Sequence, residues 1–336
     1  MLRMPEFRVH RARSAQEAVE LWHGLGGAEG RGKDAVWSAM YIAGGTDLLP
    51  NIKHRLFTPK HLISLELPQP QIVDEGDFLR IDAGVKLQAL ADHPLIQATL
   101  PPLASAAGKV AGPQIRRMGT IGGNVLLDTR CLFYNQTESW RQALGYCLKK
   151  EGTWCHVVGG PKTCVAAQSS DCVPVLLALN ARLRLTGPSG ERELSLRELY
   201  RYNGFDHLTL TPGELLTAVR VPKPAPGFRG LYHKLRTRGS IDFPELSVAV
   251  TGAWEGDAPS SLEIVIGAIN PQPKPVKGLD EWLGRPLTDE GIEAITTLVH
   301  KATRPQGSII GDPDWRRAMA GVFTRRALLE LRAASA

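Results

Sequence analysis

No run of about 18 apolar residues occurs anywhere in the 336-residue chain, so no segment reads as a membrane-spanning helix. The stretch from Met1 to Trp22 scatters charges along its length and holds no apolar h-region. A secretory signal is therefore not expected, and a cytoplasmic location is. Cysteine is missing from most of the sequence: all five fall between Cys131 and Cys172. An odd number without an export signal argues against a disulfide framework. Neither G-x-G-x-x-G nor G-x-x-x-x-G-K-[ST] is present, so a Rossmann dinucleotide site and a P-loop are not supported. The net charge of +6 is spread along the chain, with no groove-reading helix, zinc finger or RNP-like strand. Nucleic acid is not an expected partner; anionic cofactors or an acidic partner subunit account for the charge equally well.

What is present reads as alternating strands and helices. Phe7 to His10 is strand-like, and Ser14 with Glu17 forms a capping-box pattern at the start of a helix. Ala35 to Ile42 is a short apolar run that breaks at Gly44-Gly45, with a helix expected from Leu48. Leu79 to Val85 alternates as a half-buried strand does. Helical text follows over Leu87 to His93 and Leu103 to Ala111, before a second glycine pair at Gly122-Gly123. Residues 131 to 164 lack periodicity and read as an irregular insertion. A helix is expected over Val173 to Leu179 and a strand over Ala181 to Leu185. The proline-rich stretch Val221 to Gly227 marks the best domain boundary. Beyond it, antiparallel strands at Leu246 to Val250 and Leu262 to Ile266 precede helices near 289–302 and 314–333. This divides the chain into 1–58, 59–222 with an inserted loop at 128–165, and 228–336.

Each glycine pair sits where regular structure yields to a turn. Glycine there permits positive φ and lets backbone N–H groups approach a ligand with no Cβ in the way. Thr46 and Thr120 add hydroxyls beside them. Two such turns converging would clamp a diphosphate through main-chain amides.

These residues carry a family resemblance. Ala43-Gly44-Gly45-Thr46-Asp47-Leu48-Leu49-Pro50 resembles the first FAD-pyrophosphate segment of the medium subunits of xanthine dehydrogenase and carbon monoxide dehydrogenase, and Thr120-Ile121-Gly122-Gly123-Asn124 resembles the second. Ser170-Asp171-Cys172-Val173-Pro174 is similar to their S-D-x-x-P segment. The stretch from Glu214 to Pro222 is similar to the strand ending their FAD domain. Lys234, Arg238 and Asp242 match a K-x-x-x-R-x-x-x-D pattern whose lysine lies near the flavin. The resemblance runs from about residue 6 to 330 and keeps the motif order. It implies an α+β chain: a PCMH/vanillyl-alcohol-oxidase-like FAD-binding fold of two α/β subdomains, then a C-terminal α+β domain of antiparallel strands and helices. By position it implies FAD contacts from Ala43, Gly44, Gly45, Thr46, Asp47, Thr120, Gly122, Gly123, Asn124, Asp171, Leu216 and Lys234. No residue is assigned a catalytic role.

Between Asn124 and Asp171 lie 46 residues, where the wider family has a short connection. They hold Cys131, Cys147, Cys155 and Cys164, without the paired C-x2–4-C spacing usual for zinc. Spacing alone leaves an iron–sulfur cluster, a zinc ion and, behind these, unliganded cysteines open. The stretch from Leu127 to Gln136, with Trp140, Arg141, Cys147, Cys155, His156 and Cys164, resembles the inserted loop of the β subunit of 4-hydroxybenzoyl-CoA reductase. That resemblance implies a [4Fe–4S] cluster on the four cysteines. Cys172 departs from the pattern and reads as a small buried hydrophobe, though a ligand set with Cys172 in place of Cys164 stays open. The implied function is an electron-transfer subunit carrying FAD and [4Fe–4S] in a molybdenum-containing oxidoreductase, reductase-like toward an aromatic CoA thioester. The alternatives are a xanthine-, carbon monoxide- or N-heterocycle-dehydrogenase flavin subunit, or, in another class, a zinc-stabilised binding module. Implied partners are a molybdenum-cofactor large subunit, a [2Fe–2S] small subunit in a dimer of heterotrimers, and an external carrier such as ferredoxin.

Overall fold

The computed structural model describes residues 2–30 and 35–334. The chain opens with β1 (Arg8–Ala12) and α1 (Ala15–Gly24). Ser14 caps α1, its Oγ accepting the Glu17 amide at 3.1 Å, while the Glu17 carboxylate accepts the Arg13 amide at 2.7 Å, one residue before a capping box would place it. The expected apolar strand is broken at Ser38. Its first part, β3 (Val36–Trp37), pairs with β2 (Ala28–Glu29), and its second, β4 (Ala39–Ile42), joins a parallel sheet in the order β1-β5-β4 with β5 (His61–Leu65). Between β4 and β5, α2 (Leu48–Lys53) follows the first glycine turn.

The second unit is an antiparallel sheet in the order β6-β7-β10-β8-β9. Its strands are β6 (Ile72–Asp74), β7 (Phe78–Asp82), β8 (Arg182–Gly187), β9 (Gly190–Ser195) and β10 (Leu215–Pro222). Helices α3 (Leu87–Asp92), α4 (Pro94–Thr99), α5 (Pro101–Gly108), α6 (Pro113–Met118), α7 (Ile121–Val125) and α9 (Cys172–Ala178) accompany it. Their apolar faces share one core with the sheet through Leu79, Ile81, Leu90, Leu103, Leu176 and Val219. The inserted stretch carries α8 (Glu138–Leu144), capped by Thr137. Fully buried Arg141 docks this stretch on the end of α2, donating to the carbonyls of His54 and Arg55 at 3.1 and 3.2 Å.

The last sheet, in the order β11-β12-β14-β15, is antiparallel as expected. It comprises β11 (Phe228–Leu235), β12 (Leu246–Glu255), the short β13 (Ala258–Pro259) paired to β12, β14 (Glu263–Gly267) and β15 (Lys274–Pro275). Tyr232, Ala249 and Val265 face the core of the preceding unit, and Val248, Val250 and Ile266 face α10 (Asp289–Ala302) and α11 (Pro313–Ala333). A sheet covered on both faces explains why β12 is buried from Leu246 through Trp254 rather than alternating.

Candidate functional site

A cleft of about 990 Å3 runs between the parallel sheet, the antiparallel sheet and the C-terminal unit. Both glycine segments line it, together with Ala43, Thr46, Asp47, Thr120, Asn124, Asp171 and Leu216. Gly45 adopts φ 69°, the left-handed region, whereas Gly44 is required by a close approach. A Cβ on Gly44 would sit 2.1 Å from the Met118 carbonyl oxygen and 3.0 Å from Gly119 Cα. The two glycine segments thus meet at the cleft.

Their chemistry differs from the expected symmetrical clamp. Among the described residues, the amides of Gly45, Thr46 and Asp47 make no hydrogen bond within the chain, so they are available to an anion. At the second segment the glycines lie inside α7, and every leading amide is already engaged. Ile121 donates to Val85 O and Gly122 to Ala83 O, both at 2.9 Å, and Asn124 donates to Thr120 O at 3.0 Å. Gly123 donates to the Thr120 hydroxyl at 3.1 Å, so that oxygen serves as a helix cap. Gly122 is needed for packing instead: its Cβ would lie 2.7 Å from that of Ala83. The Asn124 side-chain oxygen accepts from Ser170 Oγ at 2.6 Å, tying this segment to the one holding Asp171.

Asp171 is 2% exposed and accepts from Tyr232 Oη at 2.5 Å and Lys234 Nζ at 2.9 Å. It heads α9 without a side-chain capping bond; Ser170 Oγ accepts the Val173 amide instead. Lys234 does not line the cleft: its ammonium lies behind the wall, on Asp171 and the Lys109 carbonyl. It reaches the cleft only through Asp171. Arg238 and Asp242 pair with one another at the exposed end of the same stretch.

Beside the cleft, Cys131, Cys147, Cys155 and Cys164 line one small cavity, all free and all buried. Burial pushes the Cys131 thiol up to about 12 and the Cys164 thiol up to about 11, so without a metal these sulfurs keep their protons at neutral pH. Among the described residues, no three His, Cys, Asp or Glu side chains converge closely enough to hold a single metal ion. Cys172 is elsewhere, fully buried in the core around α9, which removes it from any ligand set with the other four. His156 touches the cavity, but its Nε2 is 2.6 Å from the Tyr146 carbonyl oxygen.

A family model described as the FAD binding domain in molybdopterin dehydrogenase matches residues 5–224. The chain belongs to that family. A second model, the CO dehydrogenase flavoprotein C-terminal domain, matches residues 231–331 of this flavoprotein. It is 29% identical to the carbon monoxide dehydrogenase medium chain of Hydrogenophaga pseudoflava over 327 residues, covering 96% of each chain. To the aldehyde oxidoreductase FAD-binding subunit of Escherichia coli it is 32% identical over 279 residues, covering 80% of this chain and 84% of that one. Its fold matches the solved carbon monoxide dehydrogenase of Hydrogenophaga pseudoflava with a TM-score of 0.79 at 27% identity, over 99% of both chains. This chain is an FAD-binding medium subunit of the molybdenum hydroxylase family, an oxidoreductase component. Among the described residues no helix is long and apolar enough to cross a membrane.

The cleft of the flavoprotein fits FAD. Its volume of about 990 Å3 lies at the upper end for small-molecule sites, as an extended dinucleotide demands. The first glycine turn leaves three amides without a partner in the chain, beside a position where a Cβ would meet the Met118 carbonyl.

Several wall residues were missed in the sequence. Lys86 lines the cleft and donates to Met118 O at 3.1 Å, placing a cation where the glycine segments meet. Arg130, next to Cys131, pairs with Asp47 and stacks 4.4 Å from the Phe243 ring centroid, joining the cysteine loop to the first glycine turn. Tyr41 donates to Gly213 O at 2.8 Å. His207, buried against the Leu127 carbonyl, is pushed down to about 4 by desolvation. A histidine whose folded value lies below its unfolded 6.5 loses stability as pH falls from 6.5 toward 4. Roughly 3 kcal/mol is at stake there. Urea midpoints should therefore drop across that window, and His207→Gln should flatten the drop. Identical acid limbs in both proteins would refute the assignment.

Proposed function

We propose that this flavoprotein passes electrons within a molybdenum-containing dehydrogenase complex whose organic substrate binds on another chain. Its relatives support the reading, being a carbon monoxide dehydrogenase medium chain and an aldehyde oxidoreductase FAD-binding subunit. So does the cleft, whose carboxylates are already paired with cations: Asp47 with Arg130, Asp128 with Lys149, Asp171 with Lys234, and Asp206, Glu214 and Asp242 with Arg201, Arg192 and Arg238. FAD, when bound, supplies the redox chemistry, and the chain's task is to hold, shield and tune it. The first glycine turn holds the diphosphate, with Lys86 beside it, and Asp171 supports the cleft wall. A molybdenum-cofactor large subunit and a [2Fe–2S] small subunit, paired as a dimer of heterotrimers, are the partners this role requires.

The observation that carries the finer reading is the cavity with four thiols directly beside the flavin cleft. We assign it to a [4Fe–4S] cluster. Four cysteine thiolates are the ligand set such a cluster takes. A single zinc ion needs all its sulfurs about 2.3 Å from one point, and among the described residues no three such side chains converge that closely. Anaerobically purified protein should hold about four iron and four sulfide per chain, and Cys155→Ser should lose most of both while keeping its flavin. Yellow protein with stoichiometric zinc and no acid-labile sulfide would overturn the assignment.

The same loop supports a second reading, a complex like 4-hydroxybenzoyl-CoA reductase in which a ferredoxin-type carrier drives electrons inward. Assaying the purified complex separates the two directions. Oxidation of carbon monoxide, aldehyde or an N-heterocycle with an acceptor favours the first; dehydroxylation of an aromatic CoA thioester with reduced ferredoxin favours the second.

A further inference from the structure

Two residues face both cavities. Tyr134 and Lys149 line the thiol-lined cavity on one side and the flavin cleft on the other, so together they form the partition between them. Both are buried, at 2% and 7% exposure. The Lys149 ammonium stands 4.2 Å from the Tyr134 ring centroid. It is fixed by three oxygens: Asp128 Oδ1 at 2.7 Å, Thr129 Oγ1 at 2.5 Å and the Thr129 carbonyl at 3.1 Å. The Tyr134 hydroxyl donates to the other oxygen of Asp128 at 2.9 Å. Asp128 itself lines only the cleft, so the counter-ion sits on the flavin side of the partition.

An ammonium with three fixed acceptors cannot swing out to solvent, and the Asp128 carboxylate and the Thr129 oxygens offset the cost of removing it from water. Lys149 is also two residues from Cys147, so its backbone belongs to the thiol-bearing loop. A fixed charge buried in the wall acts on both sides, with less screening than a charge at the surface. We propose that Lys149 is a positioning residue shared by the two sites, its positive charge raising the electron affinity of a cluster in the thiol-lined cavity and, to a smaller extent, of flavin in the cleft. The inference rests on the cluster reading above. The asymmetry comes from Asp128, which offsets the charge on the cleft side alone. When an electron crosses the partition no bond forms or breaks.

The test is an anaerobic potentiometric titration of the assembled holoenzyme, following cluster and flavin separately by EPR and visible absorbance. Lys149→Met should lower the cluster midpoint by about 59 mV or more, a tenfold change in a one-electron equilibrium. The flavin midpoint should fall by less. Asp128→Asn, which uncovers the charge, should move both upward. That reversal of sign is the readout a purely structural role would not produce. Should Lys149→Met fail to fold, the Lys149→Met/Asp128→Asn double variant removes both charges together and should place the cluster below wild type. Midpoints that stay put, or that shift the same way in Lys149→Met and Asp128→Asn, would overturn the inference while leaving the cluster reading intact. Reduced wild-type holoenzyme that shows flavin and [2Fe–2S] signals but no [4Fe–4S] signal would overturn both.

Discussion

Gly44→Ala should leave the chain folded but empty of flavin. The added methyl would meet the Met118 carbonyl oxygen at 2.1 Å, a backbone atom that has no rotamer through which to withdraw. Relief requires the first glycine turn and the end of α6 to part, which moves the unbonded amides of Gly45, Thr46 and Asp47 away from their anion. Overpacking of this kind costs about 1–3 kcal/mol. If that strain falls on the liganded state, flavin affinity drops by about tenfold for each 1.4 kcal/mol. The measurement is the flavin-to-protein absorbance ratio after gel filtration, with Gly24→Ala as the control. Gly24 ends α1 with open space around it, so alanine there should leave flavin content unchanged. Full flavin occupancy in Gly44→Ala would show that the close approach does not shape the site.

Lys234→Met should destabilise the protein by about 3–5 kcal/mol, because it strands a buried carboxylate. Both partners are almost fully buried, with side-chain exposures of 1% for Lys234 and 3% for Asp171. Burial raises the Asp171 carboxyl above its usual range, and the lysine opposes that rise. Without the lysine the folded-state value climbs further. A carboxyl raised in the folded state contributes stability at low pH and loses it as pH rises. The deficit of Lys234→Met against wild type should therefore be larger at pH 8 than at pH 5, read as the difference in urea midpoints. Asp171→Asn in the same background should recover part of the loss at pH 8. A deficit independent of pH would mean that Lys234 acts by packing alone.

Much of this architecture is written locally. Helix α10 follows from an amphipathic stretch capped by Thr288, α11 from its Asp312 cap and an unbroken 21-residue helical stretch, and β14 from the β-branched run Ile264-Val265-Ile266. The glycine pairs and the four cysteines of the loop also announce themselves, since each residue type has few other uses at such places. What escaped depends on partners distant in sequence. The amides of α7 find their acceptors at Ala83 and Val85, so no inspection of Thr120 to Asn124 could show them already engaged. Arg130 meets Asp47 across 83 residues, and Lys234 meets Asp171 across 63. Only the folded chain tells that the first pair bridges loop and turn, or that in the second Asp171 lines the cleft while Lys234 lies behind it. The helix α8 had a local signal in Thr137, which accepts the Trp140 amide, but no apolar stripe to strengthen it.

The central claim is that the first glycine turn grips a flavin nucleotide by its diphosphate, through amides the fold leaves unbonded. Titrating flavin-free protein with FAD and with riboflavin, which shares the ring but has no phosphate, isolates that grip. FAD should saturate one site per chain, with riboflavin weaker by about a hundredfold or more, some 3 kcal/mol. Equal affinity for the two ligands would contradict the account.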